Sequence, residues 1–263
     1  MKKILKKIFI DGFTGMTHGM FVTLIMGTAF VQIGTWIGGY IGAQFIIFGN
    51  IARLLTGAGI GVGVAAMFGA DSLVTVSAAI TGMLGAFHGL GSAALGNSGE
   101  PLGAFIAAYI AIEIGMLISQ KTSFSLILTP FASILSGALV GYFATPYITR
   151  FICWIVGLAS YNVAASPIIG GIVVAVLFSL FAVMPLNLPA LAMSLGLSGV
   201  AAGAATIGVC CSMVGFAVSG YRDNKLGGVF AHGFGSAVLQ FPNVLKRPLI
   251  LIPSIISLSL IHI

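Results

Sequence analysis

The sequence predicts an all-α, polytopic membrane protein with about 8–10 transmembrane or re-entrant helices. First, 59% of the residues are hydrophobic and only 6% are charged, against about 25% charged residues in an ordinary soluble domain. A surface with so few charges suits lipid and not water. Second, there are 37 glycines, and small residues let membrane helices approach closely. Third, apolar runs of about 20 residues, the length that crosses a bilayer, recur along the chain.

The predicted membrane domain covers residues 14–257 and follows a basic N-terminal segment, 1–13. Its predicted spans are 14–37, 52–70, 72–88, 102–119, 124–145 and 167–184. Four other stretches are predicted to be partial, interfacial or broken elements: 39–51 at the interface, 146–166 between Pro146 and Pro167, 188–220 as two segments broken near Gly203 or Gly208, and 226–241 as a re-entrant segment. A last apolar run starts at Pro248.

The charge distribution predicts the orientation. The net charge is +6, and four lysines lie within residues 1–7, which predicts a cytoplasmic N-terminus in a bacterial plasma membrane. The span count then places Lys121, Arg222 and Lys246 on the same side, and Arg53 and Arg150 on the other. No basic stripe with interleaved aromatic residues follows, so nucleic acid is not an expected partner. The lipid bilayer is an expected partner.

The motifs of soluble enzymes are missing from the sequence. There is no G-K-[ST] phosphate loop, no G-x-S-x-G elbow and no H-E-x-x-H motif. The stretch 89–94 matches G-x-G-x-x-A but follows no predicted strand, so it does not indicate a dinucleotide site. Cys153, Cys210 and Cys211 lack the spacing of a zinc site and are expected to be packed core residues. The sequence therefore predicts no cofactor, no metal and no catalytic residue.

The densest polar group in the apolar sequence is Gly96-Asn97-Ser98-Gly99-Glu100-Pro101. Pro101 disfavours the helical region for Glu100 and is suited to the first turn of a new helix. Glu100 is therefore predicted at a helix N-terminus, where the dipole stabilises a carboxylate. Together with the Asn97 amide it can hydrogen-bond a polyol, which makes both residues candidate substrate ligands. The alternative is an exposed loop with an acidic cap.

Three further residues are candidates for solute binding because ionisable groups at membrane depth are costly and usually functional. Glu113 lies within the apolar run 104–119, as a substrate- or proton-linked acid or as an interhelical hydrogen-bonding residue. His88 adjoins the same polar break, and His232 lies in the Gly-rich stretch 231–235. A neutral histidine can bind a sugar or relay a proton; alternatively, both are structural residues.

Three stretches of the second half resemble one family: Ser166-Pro167-Ile168, Leu195-Gly196-Leu197-Ser198-Gly199-Val200-Ala201-Ala202-Gly203-Ala204-Ala205, and Pro242-Asn243-Val244-Leu245-Lys246-Arg247-Pro248. The sequence is similar, over about residues 50–256, to the EIIC-type membrane components of the bacterial sugar phosphotransferase system. The branch it resembles includes perfringolysin-regulator-like proteins.

This resemblance implies a helical homodimer that translocates a sugar or related polar solute, with soluble phosphotransferase components as partners. Glu100-Pro101 is also similar to the Glu-Pro element that binds sugar in glucose-type relatives, where it lies late in the chain. No stretch resembles the Cys-bearing or His-bearing domains that accept phosphate, so any phosphotransfer would need separate chains. A membrane sensor or regulator that keeps the fold without transporting is the alternative function. A third hypothesis is a channel-like pore, but the sequence has no continuous polar file to support it.

The last six residues, 258–263, are expected not to be native. Leu258-Ser259-Leu260-Ile261-His262-Ile263 is what the bases CTGTCTCTTATACACATC encode, and that is the end sequence of a transposon used in sequencing libraries. The resemblance implies a further Gly-rich membrane segment beyond this point, so we expect a C-terminally truncated chain. The alternative is an ordinary apolar tail, and the codons of the gene would distinguish the two.

Overall fold

The computed structural model describes residues 6–87, 97–119, 124–165 and 167–252, and the regular secondary structure in these ranges is helical. The all-α prediction is confirmed. The chain divides into two compact units, Met1–Ile148 and Thr149–Ile263. Four described helices are long and apolar enough to cross a membrane, and a bent helix pair gives a fifth candidate span.

The first unit begins with helix α1, Lys7–Ile37, which contains two π-helical stretches, Lys7–Gly12 and Phe21–Ile25. The helices that follow are α2 (Gly39–Leu54), α3 (Thr56–Phe68), α4 (Ser72–Ala86), α5 (Pro101–Ser119) and α6 (Ser125–Ala165), and the boundary between the units falls within α6. Helices α2 and α3 are the bent pair, with an angle of 55° at Leu55.

The second unit contains α7 (Pro167–Val183), α8 (Leu188–Ser194), α9 (Gly199–Ser219), α10 (Tyr221–Phe230) and α11 (Phe241–Lys246). Between α10 and α11 lie a π-helical turn, Ala231–Gly235, and a 3₁₀ turn, Ala237–Gln240; a second 3₁₀ turn, Pro248–Leu251, follows α11. The predicted break in 188–220 exists, but it lies at residues 195–198 and not at Gly203 or Gly208.

Helix α6 differs from the sequence prediction. Its 41 residues include both Pro130 and Pro146, so the separate partial element predicted for 146–166 is wrong. A proline removes one backbone hydrogen bond, and in membrane helices the freed groups are satisfied by neighbouring helices and by local adjustment. Proline is therefore a weaker stop signal here than in a soluble helix. Pro101 and Pro167, by contrast, do begin helices α5 and α7.

Glycines bring the backbones of neighbouring helices into contact in the first unit. A Cβ at Gly15 would lie 2.5 Å from the Gly63 carbonyl oxygen, and a Cβ at Gly57 would lie 2.5 Å from that of Gly82. Gly59 packs against α1 and Gly61 against α4. The glycines of α3 between Gly57 and Gly63 thus contact two neighbouring helices, α1 and α4.

Helices α7 and α9 of the second unit run parallel to each other. Gly171 lies against Val200 and Ala204, Gly208 packs on the Ala175 carbonyl, and Val183 shares a buried cluster with Phe216. The contacts advance in the same direction along both helices, so the connecting segment, residues 184–198, must run back from the end of α7 to the level of its start. This distance is about 25 Å, the length of the 17 residues of α7. Only Leu188–Ser194 within it is helical. Irregular backbone of this kind is typical of transporter interiors.

Asp71 fixes the start of α4 and is expected to stabilise it. Its Oδ1 accepts a 2.9 Å hydrogen bond from the Val74 amide, and the Ser119 hydroxyl donates to Oδ2. These bonds hold the pKa of the Asp71 carboxyl below its ordinary value of 3.8. The contribution is therefore present above that value and lost as pH falls through the folded-state pKa.

Replacing Asp71 by alanine should lower the free energy of unfolding by about 1 kcal/mol at pH 7, because the cap is lost. Asp71→Asn should keep most of the stability, since asparagine is also a good N-cap. Thermal unfolding of the purified protein at pH 7 and at pH 3 measures both. Equal losses in the two variants would contradict a capping role.

Candidate functional site

Residues 97–100 fold back onto the end of α4 and set the position of Glu100. The Glu100 amide donates a 2.9 Å hydrogen bond to the Ala86 carbonyl. Gly99 has φ +66°, and a Cβ there would lie 2.7 Å from the same carbonyl oxygen, so glycine is required for both reasons. Pro101 then begins α5, with the Glu100 carbonyl accepting from Ala104 at 3.1 Å. Glu100 thus lies at the N-terminus of a spanning helix, as predicted.

The Glu100 carboxylate is only partly satisfied. One oxygen accepts from the Leu102 amide in the first turn of α5. The other oxygen, Oε1, is buried without a hydrogen-bond partner among the described residues. Glu100 precedes the candidate span Pro101–Ser119, and burial raises the pKa of its carboxyl to about 7. A buried acceptor that the protein leaves open can take a hydroxyl donor from a ligand.

The other candidates around this break have different positions. The Asn97 side chain is exposed, and its Oδ1 accepts a 3.1 Å bond from the Gly99 amide, so it shapes the turn that carries Glu100. His88 lies outside the described residues. Ser98, which sequence analysis did not select, is buried beside Glu100.

Glu113 is separate from Glu100 and forms an ion pair. The two carboxylates are thirteen residues apart on one helix, which is about 20 Å. The Glu113 Oε1 lies 2.5 Å from Lys7 Nζ, with 31% of its side chain exposed. The Tyr109 hydroxyl also hydrogen-bonds Glu113, and the Lys7 ammonium lies 4.6 Å from the centroid of the Phe68 ring. Glu113 therefore has protein partners, and the ion pair with Lys7 of α1 favours the interhelical alternative for this residue.

His232 lies in the second unit, within a hydrogen-bonded chain of its own. The Gln240 side-chain amide nitrogen lies 2.7 Å from its Nε2, and Asn243 Nδ2 donates to Gln240 Oε1 at 2.8 Å. With Gln240 donating, the ring proton is on Nδ1, which faces the Ser236 carbonyl oxygen at 3.4 Å. Burial lowers the pKa of His232, in agreement with a neutral ring.

The structure thus distributes the predicted site residues over three places: the break at Glu100 and Asn97, the Glu113 ion pair, and the His232 chain. Sequence analysis did not identify Lys7 or Gln240 as partners of these residues. Lys7 was assigned to the basic N-terminal segment, and nothing in the spacing of Gln240 distinguishes it. Among the described residues, no group of three or more His, Cys, Asp or Glu side chains could hold a metal ion.

A comparison with protein families gives one match. The model of the family described as "Phosphotransferase system, EIIC" matches residues 10–261 of the chain. No curated protein and no solved structure matches it.

Proposed function

Because the chain belongs to the EIIC family of the phosphotransferase system, we propose that it translocates a polyhydroxyl solute and that Glu100 binds this solute. Members of the family are the membrane components of phosphotransferase-type sugar uptake, and the match covers nearly the whole chain. A sugar or a closely related polar solute is therefore the proposed substrate class. The proposed partners are soluble phosphotransferase components.

The observation that supports Glu100 is its open, buried oxygen. Oε1 has no hydrogen-bond partner among the described residues, although an unpaired buried acceptor costs about 1–3 kcal/mol. Such groups persist where a ligand completes them. The site is also at the break before a spanning helix, and broken helices carry the substrate sites of many transporters. A sugar hydroxyl is a donor of the right size and chemistry.

We expect Glu100→Gln to weaken sugar binding about 10- to 100-fold at pH 8, the loss of one hydrogen bond to a charged group. The measurement is equilibrium binding of a panel of radiolabelled mono- and disaccharides to purified protein. Asp223→Asn is the matched control, because it also removes one carboxylate but from an exposed position. Unchanged affinity in Glu100→Gln, for a sugar that the parent binds, would remove Glu100 from the site.

Sugar affinity in the same assay is expected to change with pH in a definite direction. The Glu100 carboxyl is held protonated up to about pH 7, and the ionised form accepts hydroxyl donors more strongly. Sugar affinity should therefore increase as pH rises through 7 and be flat in Glu100→Gln. Unfolding stability should change in the opposite direction, falling as pH rises from the ordinary value of 4.5 to about 7, because the folded state holds the proton more tightly.

Four finer features also belong to this proposal. The N-terminus is cytoplasmic, the protein is a homodimer, His88 and His232 contribute to solute binding, and the chain falls in the perfringolysin-regulator-like branch. The excess of lysine in residues 1–7 supports the first, and the family resemblance supports the second and fourth. His88 adjoins the Glu100 break in sequence. If no sugar binds to folded protein, the alternative of a non-transporting regulator replaces transport.

A further inference from the structure

Residues 26–54 form a helical hairpin whose outer surface is largely apolar. Its two helical arms, Met26–Ile37 and Gly39–Leu54, meet at Gly27 with Gly49 and at Gly34 with Gly42. These four glycines are the buried residues of the two arms. The exposed large apolar and aromatic residues are Phe30, Ile33, Trp36, Ile37, Tyr40, Ile41, Ile47, Phe48 and Ile51. The hairpin therefore needs an apolar environment outside the chain.

Arg53 is the one charged residue of this hairpin, and no carboxylate in the described part of the chain forms an ion pair with it. Its Cγ would lie 2.9 Å from a Cβ at Gly27, so its stem packs on α1. Its Nε is buried without a partner among the described residues. The five carboxylate residues of the sequence all lie in the described ranges, where the ion pair observed is Lys7–Glu113. Arg53 therefore has no carboxylate partner among the described residues, and an anionic group of another molecule can pair with it.

The position of Arg53 along α1 indicates which molecule. Gly27, against which Arg53 packs, is twenty residues from Lys7 on the same helix, or about 30 Å. That distance equals the thickness of the hydrocarbon core. When Lys7 lies at one boundary of the core, Arg53 lies at the other, at the level of the lipid phosphates.

The rest of the hairpin cannot project straight outward. Ten more residues of α1, about 15 Å, would reach beyond the headgroup layer of about 5–8 Å and expose its apolar side chains to water. A bend lies at this level of the chain: α2 and α3 meet at an angle of 55°, and the π-helical stretch Phe21–Ile25 of α1 is near it. Trp36 and Tyr40 at the hairpin end are 77% and 81% exposed, and these residue types are enriched at membrane interfaces.

We propose that hairpin 26–54 is an interfacial anchor in the leaflet opposite Lys7 and that Arg53 binds the phosphate group of a phospholipid there. Guanidinium binds phosphate bidentately and is the side chain best suited to this contact. The apolar arms cover the acyl chains of the same lipids. This role is independent of solute binding at Glu100.

The lipid arm of the test measures the thermal unfolding midpoint of the full chain in neutral detergent. At about 100 times the dissociation constant, phosphatidylglycerol should raise the midpoint by roughly 5 °C. Galactosyl diacylglycerol, which has no phosphate, should raise it much less. Arg53→Gln should lose the difference between the two lipids, whereas Arg222→Gln, at an exposed position of the second unit, should keep it. Equal shifts by both lipids in the parent, or an equal shift by glucose 6-phosphate or inorganic phosphate, would overturn the proposal.

A second measurement does not depend on substituting Arg53. The chain has two tryptophans, so Trp154→Phe leaves Trp36 as the single reporter. In vesicles, Trp36 should be quenched most by lipids brominated near the headgroup. Strongest quenching by lipids brominated near the bilayer centre, absence of quenching, or shielding of Trp36 in a dimer would contradict an interfacial hairpin.

Discussion

Gly15→Leu is expected to prevent the first unit from folding. Even a bare Cβ at Gly15 would lie 2.5 Å from the Gly63 carbonyl oxygen and 2.7 Å from its carbonyl carbon. Both are backbone atoms, so no rotamer change relieves the clash and α1 must separate from α3. Inserting an extra methylene into a packed core already costs about 1–3 kcal/mol, and a leucine side chain adds four carbons.

Gly203→Leu is the matched control for this prediction. Gly203 lies in the second turn of α9, where a Cβ would meet nothing within 4 Å, and leucine is a better helix former than glycine by roughly 0.5–1 kcal/mol. We expect Gly203→Leu to fold at least as well as the parent. Yield of monodisperse protein and its thermal midpoint measure both variants. A well-folded Gly15→Leu, or equal damage in the two, would show that close glycine packing does not determine this interface.

The sequence predicts the helices well where composition and local chemistry decide them. The apolar runs locate candidate spans α1 and α5, and Pro101 and Pro167 locate two helix starts, because a proline at the first turn loses no hydrogen bond. The candidate span Gly199–Ser219 lies within 188–220, which the sequence predicts to be two broken segments. Pro146 suggests a helix boundary that the structure does not have, since proline can also lie inside a membrane helix. The break between α2 and α3 at Leu55 lies a few residues from the predicted boundary between 39–51 and 52–70.

The sequence also predicts only part of the candidate site. The Glu100-Pro101 pair predicts a carboxylate at a helix N-terminus, and the structure places it there. The open Oε1 atom depends on tertiary burial and on the contact with Ala86, neither of which the local sequence contains. The partner of Glu113 is 106 residues away along the chain. Spacing along one helix therefore identifies Glu113 as a costly residue but cannot identify the residue that pairs with it.

Lys7→Glu is expected to destabilise the first unit by about 1–3 kcal/mol. Lys7 Nζ lies 2.5 Å from Glu113 Oε1, and the two side chains are 36% and 31% exposed. Breaking a fully buried pair costs about 3–5 kcal/mol, and the partial exposure here reduces that figure. The substitution also places two carboxylates side by side and removes the cation from the face of Phe68.

Three further variants separate the ion pair from a general effect of charge. Lys6→Glu makes the same change in net charge at an exposed neighbouring position and should leave the thermal midpoint nearly unchanged. Glu113→Lys alone should destabilise, because two ammonium groups then meet. The double variant Lys7→Glu with Glu113→Lys should recover more than half of the loss, since opposite charges face each other again, but not all of it, because the ammonium no longer lies over the Phe68 ring. A double variant no more stable than the sum of the single changes would mean that these two residues act independently, and Glu113 would then again be a candidate solute ligand.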